Sequence, residues 1–227
     1  MHAEKVKTVV LFDVDNTLLD NDQVTDDLGD HIEQAFSLQT RERYFAIFEE
    51  LRKELGYADY LGALQRYRAE HPEQVRLLEL SEFFLEYPFQ ERVYEGAIQA
   101  VRRMGEFGTT AVLSDGDVVF QPLKVRKSGI QDAVEGRVMI YIHKEEMLAD
   151  VERRFPAERY VFVDDKPRLV KAIKDYWGDR VTTVWPRQGH YAAAVKGEKC
   201  EGADVVISRI AELSGNVLGK STGKDAL

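Results

Sequence analysis

Asp13 and Asp15 stand two residues apart directly after an apolar run ending at Phe12, and Asp164 and Asp165 stand side by side after a second run ending at Val163. Ser114 closes a third run, with Asp115 and Gly116 behind it, and Lys144 follows a fourth. Four carboxylates converging at one end of a sheet would repel one another unless a hard cation with oxygen ligands held them, and magnesium suits that ligand set. Magnesium bound by few carboxylates keeps positions open for phosphate oxygens, and Ser114, the amide groups after it and Lys144 can grip the same oxygens from the other side. The chemistry this pattern predicts is phosphoryl transfer.

Such convergence needs a scaffold. Short β-branched and aromatic runs recur at Val9 to Phe12, Ala111 to Leu113, Val138 to Ile142, Tyr160 to Val163, Val181 to Trp185 and Val205 to Ile207, each fit to be a buried strand. Segments of helical spacing separate most of them, such as Ile98, Val101 and Met104, or Leu169, Val170 and Ile173. Alternation of this kind predicts an α/β, Rossmann-like parallel sheet with helices on both faces. Ligands of open α/β sheets bind beyond the carboxyl ends of the strands, where the polar residues above all stand.

The stretch from about residue 21 to residue 92 breaks the alternation and predicts four amphipathic helices. Val24, Leu28, Ile32 and Ala35 share one face; Tyr44, Phe48, Leu51 and Leu55 share another; Leu61 and Leu64, then Leu77, Phe84 and Tyr87, mark two more. Thr40 is a helix start, Gly56 a stop and Pro72 a boundary. The expected domains are therefore residues 1–20 and 93–214 as the core, 21–92 as an inserted helical bundle, and 215–227 as a mobile polar tail. Gly215 to Ser221 mimics a phosphate-binding loop, but three residues rather than four separate Gly215 from Gly219, and no helix pattern follows.

Length and composition agree with this plan. At about 150 residues per domain, 227 residues suggest a core with a smaller insertion. Apolar residues make up 44% of the chain, enough for a sizeable core, and disordered or collagen-like classes are excluded. Forty acidic against 31 basic side chains give a formal charge of -9, which argues against coating nucleic acid or an anionic membrane. Cys200 is the one cysteine, so neither an intrachain disulfide nor a cysteine zinc site is available, and a reducing, cytoplasmic address is expected. The run from Val9 to Phe12 is too short for a signal or transmembrane core, so a soluble chain without a leader is expected.

Taken in order, these motifs resemble the haloacid dehalogenase superfamily, in its magnesium-dependent phosphatase branch. The first motif, Asp-x-Asp-x-Thr, stands as Asp13-Val14-Asp15-Asn16-Thr17, the second as Ser114, the third as Lys144 and the fourth as Asp164-Asp165. Members often carry proline after the third-motif lysine, whereas Glu145 follows here, so Lys124 and Lys127 stay open as alternatives. The resemblance implies a helical cap inserted between the first two motifs. It also implies that Asp13 attacks phosphorus to form an aspartyl-phosphate and that Asp15 protonates the leaving alcohol and then activates water. Magnesium would be held by Asp13, the Asp15 backbone carbonyl and the Asp164-Asp165 pair, with Ser114 and Lys144 orienting the transferring group. Thr17 would brace the loop, and Thr17, Asp115 and Gly116 would stand on the substrate side.

The expected function is hydrolysis of small phosphorylated metabolites, with a sugar-phosphate mutase as the alternative, since both use the same motifs. Asp15 argues against a dehalogenase and against phosphonate cleavage, for which Lys53 is the one lysine of the insertion. A signalling receiver places its acidic pair first rather than last, and a non-catalytic binding protein would be expected to have lost a motif residue. Arg41, Arg43, Arg52, Arg66, Arg68 and Arg76 alternate with glutamates and fit solvated helix faces. Tyr57, Tyr60 and Tyr67 fit the bundle core or its rim, and the histidines show no ligand spacing. The sequence leaves oligomeric state unassigned.

Overall fold

The structure, a computed structural model, describes residues 6–195 and 199–216. The tail expected over 215–227 lies outside the described residues from residue 217 onward.

Six strands, β1 (Val6–Phe12), β2 (Thr109–Asp115), β3 (Val138–Tyr141), β4 (Ala157–Val163), β5 (Val181–Pro186) and β6 (Val205–Ile207), form one sheet in the order β3-β2-β1-β4-β5-β6. All five pairings are parallel. The insertion comprises α1 (Asn21–Ala35), α2 (Leu38–Leu55), α3 (Tyr60–Glu70) and α4 (Leu77–Glu86). The remaining helices are α5 (Ala97–Gly105), α6 (Phe120–Lys127), α7 (Ile130–Ala133), α8 (Leu148–Arg154), α9 (Pro167–Trp177) and α10 (Gly189–Ala194).

β1 is central, and Val9 to Phe12 have no exposed surface, as expected of a strand covered on both faces. Val10 and Phe12 pack with Ala97, Ala100, Val101 and Met104 of α5 in one cluster. Val9 and Leu11 pack on the opposite face with Leu148 and Val151 of α8 and Leu169, Ile173 and Trp177 of α9. The period of two along the strand thus feeds two helical layers. The first layer is continuous with the bundle core, where Val24, Leu28, Tyr44, Phe48, Tyr60 and Phe84 meet.

Local capping sets the bundle's turns. The Asp20 side chain accepts from the Gln23 amide, Ser37 from Thr40 and Asp59 from Gly62, so α1, α2 and α3 each begin on a side-chain cap. Thr40 is therefore not the start of α2: Ser37 takes that place, and Thr40 lies buried inside the first turn. Gly56 ends α2 in the left-handed conformation, φ 79°. In α3 the buried positions are Tyr60, Ala63 and Tyr67, while Leu61 and Leu64 are only partly covered, because the stripe is rotated by one residue from the leucines.

The chain leaves and re-enters the sheet through a paired stem. Leu19 and Val93 form an antiparallel bridge, the Asp20 amide donates to the Arg92 carbonyl at 2.7 Å, and the Tyr94 amide donates to Leu18 at 3.0 Å. Among the described residues no helix is long and apolar enough to cross a membrane.

Candidate active site

The order in which the chain adds strands to the sheet reverses between β1 and β4, and the loops after these two parallel strands face each other there. Phe12 pairs with Val163, and the Asp13 amide donates to the Val163 carbonyl at 2.9 Å, so Asp13 and Asp164 emerge at the same level. Thr17 stitches the two loops together: its hydroxyl donates to Asp13 Oδ2 at 3.1 Å and accepts from the Asp165 amide at 3.0 Å. Thr17 is fully buried and braces Asp13.

Asp13, Asp164 and Asp165 are all buried, and one ligand oxygen from each lies within 4.8 Å of the others. Lys144 reaches the cluster from the turn after β3, with Nζ 2.5 Å from Asp13 Oδ1 and 2.7 Å from Asp164 Oδ2. The second contact is an ion pair without hydrogen-bond geometry, since Asp164 Oδ2 has no hydrogen-bond partner. The Asp115 carboxylate accepts from the Lys144 amide at 2.8 Å and holds this turn in place.

Burial disfavours the charge of Lys144, but Asp13, Asp164 and Asp115 outweigh it and hold the ammonium well above its ordinary value. Desolvation, reinforced by Asp13, pushes Asp164 up to about 6 against the opposing pull of Lys144. Asp165 is pushed well above the carboxylate range by burial and then by the charges of Asp164 and Asp13. Neither oxygen of Asp165 has a hydrogen-bond partner. Orphaned oxygens beside two further carboxylates fit a hard divalent cation, which would supply the missing contacts.

Two expectations change in detail. The Asp15 carboxylate does not join the acidic cluster. It pairs instead with Lys124, Nζ to Oδ1 at 2.7 Å. The Gly116 amide donates to the Tyr141 carbonyl at 2.9 Å, so it is spent on the sheet and is not available to a phosphate oxygen. Gly116 serves instead as a close approach, where a Cβ would come within 2.5 Å of Gln121 Cβ. Ser114 is buried, accepts from Gln121 Nε2 at 3.0 Å and donates to the Asp115 carbonyl at 3.1 Å.

A cleft of about 680 Å³ opens between these strand ends and the bundle, lined on one side by Asp15, Asp115, Lys166 and His190 and on the other by Phe48, Arg52 and Tyr57. Half-buried Lys166 works against desolvation, yet Asp13, Asp164 and Asp165 hold its ammonium above the ordinary value.

The sequence model of the haloacid dehalogenase-like hydrolases matches residues 7–176, which contain every residue of this cluster. The chain belongs to this family. It is 55% identical to a haloacid dehalogenase-like hydrolase of Burkholderia xenovorans, over 92% of this chain and 95% of that one, with a TM-score of 0.86. The fold extends to the L-2-haloacid dehalogenase of Xanthobacter autotrophicus, at 19% identity over 92% and 96% of the two chains and a TM-score of 0.57. It extends likewise to the hydrolase YfnB of Bacillus subtilis, at 17% identity over 92% and 97% and a TM-score of 0.60. No curated protein matches the chain in sequence.

This haloacid dehalogenase-like hydrolase also uses residues that sequence patterns pass over. Asn16 adopts φ 58°, and its Oδ1 accepts from the Asn21 and Asp22 amides, tying the first-motif loop to the start of α1. Arg52 departs from the solvated-face expectation, since Nη2 donates to the Tyr191 hydroxyl at 2.5 Å across the cleft. The other arginines that pair here, Arg41, Arg43, Arg66 and Arg76, do so with carboxylates on exposed faces. Lys124 has no exposed surface, whereas Lys127 is spent on the Leu85 carbonyl of α4. A lysine four residues after Phe120 on the buried stripe of α6 is the signal that could have revealed Lys124, because a charge placed there needs a buried partner.

Proposed function

We propose that this chain is a magnesium-dependent phosphomonoester hydrolase acting through an aspartyl-phosphate. The observation that carries this reading is the buried Asp13, Asp164 and Asp165 cluster with its orphaned oxygens beside Lys144. A hydrolase that only displaced halide from carbon would have no use for three buried acids around one point. The fold alone does not choose, since its structures include a dehalogenase with chloropropionic acid covalently bound and a hydrolase bound to magnesium.

In this mechanism Asp13, steadied by Thr17 and Lys144, attacks phosphorus, and its new bond forms as the bond to the leaving oxygen breaks. Asp15 gives its proton to that oxygen, then takes one from the water that cleaves the Asp13–phosphorus bond, releasing inorganic phosphate. Lys144, together with Ser114, orients the transferring group and offsets its charge. Asp13, Asp164, Asp165 and the Asp15 carbonyl would hold the divalent ion, which when bound would neutralise charge at phosphorus. The helices α1 to α4 act as the cap, and the leaving group lies in the cleft against Phe48, Arg52 and Tyr57. Small phosphorylated metabolites are the substrate class.

The test is phosphate release from a panel of sugar phosphates, nucleotides, phosphoglycolate and an aryl phosphate, with magnesium or a chelator, beside Asp13→Asn. Magnesium-dependent release lost in the variant is expected. Chloride release from 2-chloropropionate without phosphate release, or isomerised sugar phosphates in place of free phosphate, would overturn the proposal.

A further inference from the structure

Lys124 projects from α6 with no exposed surface, and its Nζ lies 2.7 Å from Asp15 Oδ1 and 2.7 Å from Asn21 Oδ1. Asn21 is the first residue of the inserted bundle. Its amide Nδ2 donates to the Tyr60 hydroxyl at 3.1 Å, which shares a hydrogen bond of 2.8 Å with Thr25 Oγ1. A continuous polar chain therefore runs from Asp15 through Lys124 and Asn21 into α3. Phe120, one turn earlier on α6, lies with its ring 5.3 Å from Lys124 Nζ and 5.3 Å from the Tyr60 ring, so packing seals the same path.

Burying an ammonium is costly unless it is paired and hydrogen-bonded, and both partners here are placed by backbone the sequence has committed elsewhere. Asp15 follows the nucleophile by two residues, and Asn21 opens α1 on the Asp20 cap. Oδ1 of Asp15 is engaged, and Oδ2 has no partner among the described residues, while the residue itself lines the cleft. We infer that Lys124 is a positioning residue that fixes the Asp15 carboxylate, assigns proton transfer to Oδ2, and makes that placement depend on the seating of the bundle through Asn21. The inference rests on the phosphatase reading of Asp15. In the first half-reaction the Oδ2 proton passes to the leaving oxygen as its bond to phosphorus breaks and the Asp13–phosphorus bond forms.

Leaving-group dependence is the readout, because a proton donor matters for an alkoxide and little for a dinitrophenolate. Lys124→Met is compared with Asp15→Asn and with the double variant, using an alkyl phosphate and 2,4-dinitrophenyl phosphate with magnesium, and kcat/KM is read for each. Lys124→Met is expected to lose about 10²-fold on the alkyl phosphate, the scale of a small misplacement at a reacting group, and under about threefold on the dinitrophenyl ester. Combined with Asp15→Asn it should add almost nothing. Equal losses on both esters, or additive losses in the double variant, overturn the inference while leaving the role of Asp15 intact. An Asp15→Asn variant without leaving-group dependence would instead sink the reading beneath it. Should Lys124→Met fail to fold, Asn21→Ala, at a half-buried site, carries the same test with an expected loss of about fivefold confined to the alkyl ester; an even loss there overturns the inference.

Discussion

Replacing Asp165 by asparagine separates stability from metal binding. Asp165 has no exposed surface, both its oxygens are unpartnered, and Asp13 and Asp164 crowd it. Asparagine keeps the volume and removes the charge. An unpaired buried polar group costs about 1–3 kcal/mol, and the amide still leaves unpaired atoms while the like-charge repulsion disappears. The metal-free variant is therefore expected to match the parent or exceed it by up to about 3 kcal/mol. For a chain of this length each kcal/mol moves Tm by about 2–4 °C. Magnesium at a hundred times its Kd stabilises the parent by about 2.7 kcal/mol, a shift of about 5–11 °C, and the variant should lose most of it. Calorimetric unfolding with a chelator and with magnesium reads both quantities. A variant that unfolds several degrees below the parent in chelator, or that keeps the full magnesium shift, would refute the argument that these oxygens await a cation.

One contribution to the pH dependence of the metal-free protein comes from Asp164, raised from 3.8 to about 6. Between those values the folded state holds a proton the unfolded chain has lost, so this group's contribution is full below the lower value and fades as pH rises through the window. Measured against Asp164→Asn in denaturant titrations at pH 4 and pH 7 in chelator, the parent should lose about 2 kcal/mol more than the variant; a parent that gains on the variant across that span contradicts the shift. Asp15→Ala should lower turnover by about 10²–10⁴-fold, and a loss under tenfold in phosphate release would remove it from acid and base catalysis. Thr17→Val deletes the hydroxyl between Asp13 and the Asp165 amide at nearly constant volume; an expected loss of about 1–3 kcal/mol in thermal unfolding checks the brace, and an unchanged Tm denies it.

The strands were legible because each is a compact apolar run, and the acids were legible because they stand immediately after those runs. Their convergence was not, since it depends on β1 pairing with strands a hundred or more positions away, Val9 with Thr109 and Phe12 with Val163. Lys144 could be singled out by its place after β3, but its contact with Asp164 required the folded sheet. Lys124 and Lys127 look alike in sequence, three residues apart on one short helix; only the packing of α6 sends one to Asp15 and the other to the Leu85 carbonyl. Ser37 and Thr40 show the same limit at short range, since either could cap a helix and backbone geometry alone chooses the first.

The stitched stem at Leu18 to Asp20 and Arg92 to Tyr94 has an architectural consequence. It holds the two ends of the inserted segment one strand spacing apart, so the sheet meets that segment as a loop already closed. Closure entropy rises by only about 0.6 kcal/mol per doubling of loop length, which makes the contents of such a loop nearly free to vary. A bundle of other size or sequence could follow Asn21, provided it keeps an apolar face continuous with the α5 layer, without shifting β1 against β2 or β4. The stem thus works as a socket: Asp13, Asp164 and Asp165 stay seated at the ends of their strands while the bundle across the cleft from them is exchanged.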